Sequence, residues 1–291
     1  MHKYKIYRQR YIYCFIDTGI CKNNDFDSRI KCFYDVVNHK NYVYDDCGHG
    51  THVAGICSGS GANSNGKYRG IAPESNIVMI KALDFEGKGT ASDVLTGIQW
   101  IADNCKKYNI RILNMSIGAG ITNTKDPLVR AAEILWDMGI VVVAAAGNNG
   151  PQKGTISSPG ISKKIITVGS ADDINVPEND IGKSYSGRGP TKECVIKPDV
   201  VAPGTNIISC LCEDNKSNNY YKSLSGTSMS TPIVSGAIAL LLEKAPDLKP
   251  DDIKFMLKQS CHNLECSPNR QGWGLLDIEN LLNREVVYVR K

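Results

Sequence analysis

At 291 residues, 42% hydrophobic and 22% charged, with twelve prolines, the chain has the make-up of an ordinary globular protein able to bury a sizeable core, and large α/β folds reach this length as one unit. A formal net charge of +4, from 34 basic and 30 acidic side chains, is too small and too evenly spread to point to nucleic acid or an anionic membrane. The longest apolar stretch of note, 140–146, is far too short to span a bilayer.

The basic residues His2, Lys3, Lys5, Arg8 and Arg10 precede a short apolar run at 11–16. That run is shorter than the apolar core of an export signal, no small-residue cleavage site follows, and Asp17 interrupts it, so no signal peptide is expected. Bounded by Thr18-Gly19, the same run reads as a buried strand with Asp17 at its C-terminal end. Further strands are predicted at 76–82, 111–116, 140–146 and 164–169, all short, apolar and bounded by Gly, Pro, Asn or Ser. Helical periodicity marks 92–108, with Ser92 as N-cap, and 125–138, with Gly139 as the stop. Apolar helical blocks follow at 229–245 and 250–260, with a short closing helix near 278–282.

Near-continuous apolar strands alternating with helices predict an α/β fold with a doubly wound, mainly parallel sheet flanked by helices. No internal repeat or low-complexity segment appears. The Gly-, Asn- and Ser-rich stretches 59–68, 118–124 and 172–189 read as surface loops rather than linkers, so one domain covering 1–291 is expected, with its core at about 11–282. The tail at 284–291, with Glu-Val-Val-Tyr-Val, is strand-like and could pair with a sheet edge of the same or another chain. Eleven cysteines is an odd number in a large chain without a visible export signal. The expectation is reduced thiols in a cytoplasm, and Cys210-Leu211-Cys212 has too short a spacer for a zinc pair, so no metal is assigned.

Four stretches carry chemistry. Gly226-Thr227-Ser228-Met229-Ser230-Thr231-Pro232 runs into an apolar helix and puts Ser228 at a helix N-terminus, where free N–H groups favour a developing anion; Ser228 or Ser230 acting only as a cap is the alternative. In Asp46-Cys47-Gly48-His49-Gly50-Thr51-His52-Val53-Ala54-Gly55, a histidine flanked by glycines suits a base that must meet two partners, whereas a His49/His52 metal pair lacks a third ligand at zinc-like spacing. Phe15-Ile16-Asp17-Thr18-Gly19 holds a carboxylate at a strand tip, which could also be a turn-forming Asp. Ala144-Ala145-Ala146-Gly147-Asn148-Asn149-Gly150 offers the Asn148 amide as a neutral donor, or is an Asn-rich turn.

Together, in the order Asp17, His49, Asn148, Ser228, these stretches resemble the subtilase (subtilisin-like, peptidase S8) family over about residues 11–282. The resemblance implies a serine endopeptidase in which His49 takes the Ser228 proton, Asp17 holds the imidazole, and Asn148 with the Ser228 N–H stabilises the oxyanion. It also implies that Gly87-Lys88-Gly89 and the Ser116, Ile117, Gly118 segment bind an extended peptide, and that Ser116–Gly118, Ala145, Ala146, Gly147 and Ser157 line the pocket before the scissile bond, with apolar or aromatic residues tolerated there. An α/β-hydrolase would place its serine before the acid and base, which this order excludes. A narrow processing protease and a non-catalytic peptide binder are the competing readings.

The compact form, with Lys67-Tyr68-Arg69-Gly70-Ile71-Ala72-Pro73, resembles minimal cytoplasmic bacterial subtilases, and the sixteen residues before Asp17 leave no room for a prodomain. No cofactor is required by the resemblance. Secreted relatives wrap calcium in the 59–67 loop, which here has no carboxylate, leaving only a weak calcium site, near 172–180, as an expectation. The expected partner is a peptide or unfolded protein, without nucleic acid or membrane; the sequence carries no signal of oligomeric state. Cys47 and Cys57 flank His49, so either they pack as small apolar groups or a bulky mercurial slows the enzyme.

Overall fold

Tyr13, Cys14, Phe15 and Ile16 form an unbroken apolar run, and in the computed structural model, which describes residues 12–120, 123–172, 184–212 and 219–289, none is more than 1% exposed. They build β1 (Ile12–Asp17). On either side of it β3 (Asn76–Lys81) and β4 (Ile110–Met115) pair in parallel. Beyond β4 come β5 (Val141–Ala145), β6 (Ile166–Ser170) and β7 (Val200–Ala202), and beyond β3 lies β2 (Ile30–Asp35), giving the order β2-β3-β1-β4-β5-β6-β7. All pairings are parallel. Every residue of β5 and β6 is buried; since successive side chains point to opposite faces, both faces must be covered.

The cover comes from two helix pairs, α1 (His49–Ser58) with α4 (Thr227–Lys244) and α2 (Ala91–Tyr108) with α3 (Pro127–Asp137). Two strands outside the main sheet, β8 (Ile207–Cys210) and β9 (Tyr221–Leu224), form an antiparallel hairpin packed on α1. The chain closes with α5 (Pro250–Ser260), α6 (Pro268–Gln271) and α7 (Ile278–Asn283). The chain serves β2 and β3 on one side of β1 and then crosses to β4 on the other, which makes the carboxyl end of β1 a switch point, where open α/β sheets place their ligands.

The predicted α/β class is what the chain forms, and the five predicted strands lie within a few residues of β1, β3, β4, β5 and β6. Four details differ. Thr90, not Ser92, caps α2: Thr90 Oγ1 accepts from Asp93 N–H at 3.1 Å and the Asp93 carboxylate accepts from Thr90 N–H at 3.1 Å, a reciprocal box that Ser92, one position into the helix, cannot make. Residues 285–289 form no strand; Val289 N–H donates to Asp252 Oδ1 at the start of α5 at 2.6 Å. The 49–58 stretch is a helix. Finally, Cys21 and Cys212 form a disulfide across 191 residues while nine other cysteines are free. The expectation of wholly reduced thiols fails because the loops after β1 and β8, remote in sequence, bring two Cα atoms to 5.4 Å, and with a disulfide present the thiol count no longer argues for a reducing compartment. Residues 1–11, including the basic N-terminal stretch, lie outside the described residues.

α4 is apolar almost all round, with Val234, Ala237, Ile238, Leu241 and Leu242 fully buried. Its Gly236 lies so close to the 67–73 segment that a Cβ there would sit 2.5 Å from Ile71 Cβ. Gly236→Ala is therefore expected to destabilise by about 1–3 kcal/mol through overpacking, although helix propensity alone would favour Ala by about 1 kcal/mol. Guanidinium unfolding midpoints of the two proteins check this, and a raised midpoint would contradict it.

Candidate active site

His49 opens α1 behind an N-cap, Gly48, whose φ of +88° is left-handed, a conformation glycine adopts without cost. The next residue explains the position of the helix. A Cβ at Gly50 would lie 2.2 Å from Gly19 O and 3.1 Å from Asp17 Cβ, so the first turn of α1 sits directly on the loop leaving β1. His49 Nδ1 is thereby 2.7 Å from Asp17 Oδ1, which also accepts from Thr18 N–H at 2.8 Å. Asp17 is fully buried and its Oδ2 has no hydrogen-bond partner among the described residues. With Nδ1–H committed to a carboxylate, the imidazole keeps Nε2 as its basic nitrogen.

Asp45 ties this corner together. Its carboxylate accepts from Thr18 Oγ1 at 2.8 Å, Gly48 N–H at 2.8 Å, Thr51 N–H at 2.9 Å and Thr51 Oγ1 at 2.6 Å, and Thr18 Oγ1 in turn accepts from Gly50 N–H at 2.9 Å. Behind it, fully buried Lys81 donates to Thr18 O, Leu83 O and Asp46 Oδ1 at 2.6, 2.8 and 2.6 Å; three acceptors are what a buried ammonium needs to offset its lost hydration. Burial works against the charged form of His49, but the charge and hydrogen bond of Asp17, helped by Asp45, outweigh it and raise its pKa above the ordinary 6.5.

His52 has a different task. Its Nε2–H donates to Lys222 O at 2.9 Å and Ile207 O at 3.1 Å, pinning α1 to the β8–β9 hairpin, while its Nδ1 is buried and has no partner among the described residues. It is a structural histidine, which removes the paired-histidine metal reading. Burial lowers its pKa to about 4, with the Lys222 carbonyl opposing and His49 assisting.

Ser228 is the second residue of α4. Pro232 has no N–H to give to the carbonyl four residues back, and Ser116 Oγ supplies that bond instead, at 2.8 Å, while Ser228 Oγ donates to Ser116 O at 3.0 Å. The two serines thus bind each other reciprocally at the end of β4. Asn148, exposed just beyond β5, has its Oδ1 fixed by Thr227 N–H and Thr227 Oγ1, both at 3.0 Å. This leaves Nδ2 without a bond to Thr227, and a Cβ at Gly226 would lie 3.2 Å from Nδ2 and 3.8 Å from the Ser228 nitrogen, so the two nitrogens flank the same glycine.

The predicted pocket residues also converge. A Cβ at Gly147 would strike Ser157 Oγ at 2.1 Å and one at Gly118 would lie 3.0 Å from Ser157 Cβ; Ser157 N–H donates to Ala146 O at 2.9 Å, and Asn149 Nδ2 donates to Ser157 Oγ at 3.1 Å. Ala145 and Ala146, which lead into Gly147, are buried. Gly87, Lys88 and Gly89 form a turn around Asp84, whose Oδ1 accepts from Glu86 and Lys88 N–H at 2.9 Å, and they lie, like Ile117 and Gly118, outside the regular strands. Of the two cysteines near His49, Cys57 is fully buried, with burial pushing its thiol up to about 12, whereas exposed Cys47 lies 3.7 Å from where a Gly87 Cβ would be. Cys47 is the one a mercurial can reach.

The 59–67 loop does have a carboxylate, contributed from elsewhere. Asp25 accepts from Gly61 N–H at 3.2 Å, Asn63 N–H at 3.0 Å and Tyr221 Oη–H at 2.8 Å. The loop therefore turns N–H donors toward this carboxylate, whose oxygens are taken up by N–H and O–H groups, and it does not fit a calcium ion, which needs free oxygen ligands. Among the described residues no group of three or more His, Cys, Asp or Glu side chains could hold a metal; most of 172–180 lies outside them. No helix among them is long and apolar enough to cross a membrane.

This geometry has counterparts. Residues 10–274 match the subtilase (peptidase S8) family, and the chain belongs to that family of subtilisin-like serine proteases. It is 44% identical to the serine protease AprX of Bacillus subtilis over 91% of its length, spanning 64% of that longer protein. Subtilisin DY of Bacillus licheniformis is 35% identical, with 91% of this chain and 88% of that protein aligned. The crystal structure of a cold-adapted subtilisin-like serine proteinase superposes with a TM-score of 0.72 at 32% identity, over 92% of this chain and 87% of that one.

Residues missed from sequence are Asp45, Thr18, Lys81 and Asp25. Asp45 stands one position outside the His49 motif, Thr18 lies inside the Asp17 motif but without a sign of its role, and Lys81 and Asp25 had no local signal. Two tests follow from these contacts. Because the unfolded chain protonates His52 near 6.5 and the native one near 4, the unfolded state binds the extra proton between those values, so stability falls as pH drops through that window, by about 3 kcal/mol in all from this residue. His52→Gln should flatten that slope in unfolding midpoints taken from pH 7 to 4; an unchanged slope would contradict the assignment. Asp25→Asn should leave any shift of the melting temperature on chelation as it is in the wild type, and a calcium-reversible shift that this substitution abolishes would refute the reading of Asp25.

Proposed function

We propose that the chain is a serine endopeptidase in which Asp17, His49 and Ser228 act as a triad and Asn148 with the Ser228 N–H forms the oxyanion site. The observation that carries this is the commitment of each polar atom: Nδ1 of His49 to Asp17, Oδ1 of Asn148 to Thr227, which leaves Nε2 and Nδ2 as the free working groups. α1 and α4, bearing His49 and Ser228 at their N-termini, pack on each other at the switch point. On this reading His49 Nε2 takes the Ser228 proton as Oγ attacks a peptide carbonyl, and the new oxyanion accepts from Asn148 Nδ2–H and Ser228 N–H. The proton then passes to the leaving amine, and water repeats the sequence on the acyl-enzyme.

Ser228 Oγ donates to the Ser116 carbonyl, so before attack it must exchange that acceptor for His49 Nε2. Peptide and unfolded protein are the substrates proposed, lying along Gly87–Gly89 and Ser116–Gly118 as an added strand, with the slot at Gly118, Gly147 and Ser157 taking an apolar or aromatic side chain.

Hydrolysis of a succinyl-Ala-Ala-Pro-Phe chromogenic peptide tests the reading. Ser228→Ala should lower kcat by at least about 10⁴-fold, and Asn148→Ala by about 10²–10³-fold, the scale known for subtilisin itself. Equal turnover by wild type and Ser228→Ala would refute it. Since the His49 pKa is raised, kcat/KM should fall on acidification through a midpoint above 6.5, and Asp17→Asn should remove that elevation along with most of the activity; a midpoint below 6.5 in the wild type would contradict the Asp17 contact.

A further inference from the structure

The Cys21–Cys212 disulfide lies against the residues that hold His49. Both sulfurs contact the Asp45 carbonyl oxygen, at 3.5 Å from Cys21 and 3.4 Å from Cys212, and Cys212 Sγ is 3.4 Å from Thr51 Oγ1, which also accepts from Cys21 N–H at 3.0 Å. Asp45 and Thr51 are the two residues that fasten the first turn of α1 to the loop after Asp17. Cys21 itself is four residues beyond Asp17, in a loop tied to the same corner by Ile20 N–H donating to Tyr44 O at 3.2 Å. The cross-link joins this corner to the segment leaving β8, which is otherwise held there by Asn23 Nδ2 donating to Leu211 O at 3.1 Å. Both cysteines are half-buried rather than enclosed in the core.

We propose that Cys21–Cys212 is a thiol-exchange site through which a dithiol, small or carried by a protein, sets the activity of the triad; the proposal rests on the catalytic reading given above. A thiolate attacks one sulfur, forming a mixed disulfide and expelling the other cysteine as a thiolate. The second thiol of the dithiol then displaces the first cysteine. The dithiol leaves as its own disulfide, oxidised by two electrons, and Cys21 and Cys212 gain two electrons and two protons. Two thiols need more room than one disulfide, so the sulfurs part, and what they press on is the Asp45 peptide and the Thr51 hydroxyl. Displacement there loosens the bonds that align His49 with Asp17. Asp45 and Thr51 act here as positioning residues, because neither touches the reacting atoms.

The test compares oxidised enzyme with enzyme reduced by dithiothreitol, alkylation and mass spectrometry reporting the state of Cys21 and Cys212, and the chromogenic peptide reporting kinetics against pH. Reduction should lower kcat by about tenfold or more, since small misplacements of a catalytic group have effects on this scale, leave KM within about twofold because the peptide-binding segments are elsewhere, and shift the acid limb of kcat/KM toward the ordinary histidine value. Reoxidation should restore all three. Cys21→Ser/Cys212→Ser should match the reduced wild type and ignore dithiothreitol; should it fail to fold, the reduction and reoxidation of wild type decides the matter alone. An unchanged kcat and acid limb with both cysteines shown to be reduced would overturn the proposal, as would finding both thiols free in folded, unreduced enzyme. Oxidised enzyme that neither turns over nor reacts at Ser228 with a serine-directed phosphonate would overturn the catalytic reading, and this proposal with it.

Discussion

His49 reaches Asp17 because position 50 has no side chain. A Cβ there would collide with the Gly19 carbonyl, so any larger residue would push the first turn of α1 off the loop leaving β1 and open the 2.7 Å contact between Nδ1 and the carboxylate. Everything chemical in the site depends on that approach: it fixes the tautomer, leaves Nε2 as the base, and sets the charge of Asp17 against an imidazole that burial would otherwise keep neutral. Asp45, Thr18 and Lys81 hold the two segments in that approach from behind, each with its polar atoms paired.

Ser228, the proposed nucleophile, is positioned by a different device. Pro232 withholds a backbone N–H in the second turn of α4, and the orphaned Ser228 carbonyl takes Ser116 Oγ instead. A helix defect thus becomes a link between α4 and the end of β4, and the return bond from Ser228 Oγ fixes the hydroxyl against the sheet. Thr227 fixes the oxygen of Asn148 in the same stroke. Thr227 thus fixes the Asn148 side chain and Asp17 fixes the His49 ring, whereas Ser228 Oγ is held by the sheet.

Much of this was legible in the sequence because it is local. Five apolar runs gave the central strands, and the Gly-flanked His49, the strand-tip Asp17 and the polar entry to α4 stand out by composition. β2 escaped because Lys31 and Asp35 break its apolar pattern at the sheet edge, and β7 because three residues are too few to show a period. Contacts between remote segments left no local trace: Asp25 serving the 59–67 loop, Lys81 behind Asp17, and Cys21 meeting Cys212. The last misled the count of cysteines, since an odd total is compatible with one pair and nine thiols.

The most direct measurement of the central claim is covalent labelling by an aryl phosphonate directed at activated serines, followed by peptide mapping. The account predicts a single adduct, on Ser228 alone, whose rate of formation falls on acidification with the same midpoint above 6.5 that His49 imposes. A folded protein that takes up no phosphonate, or takes it up elsewhere, would contradict the assignment of Ser228, His49 and Asp17 to one catalytic unit.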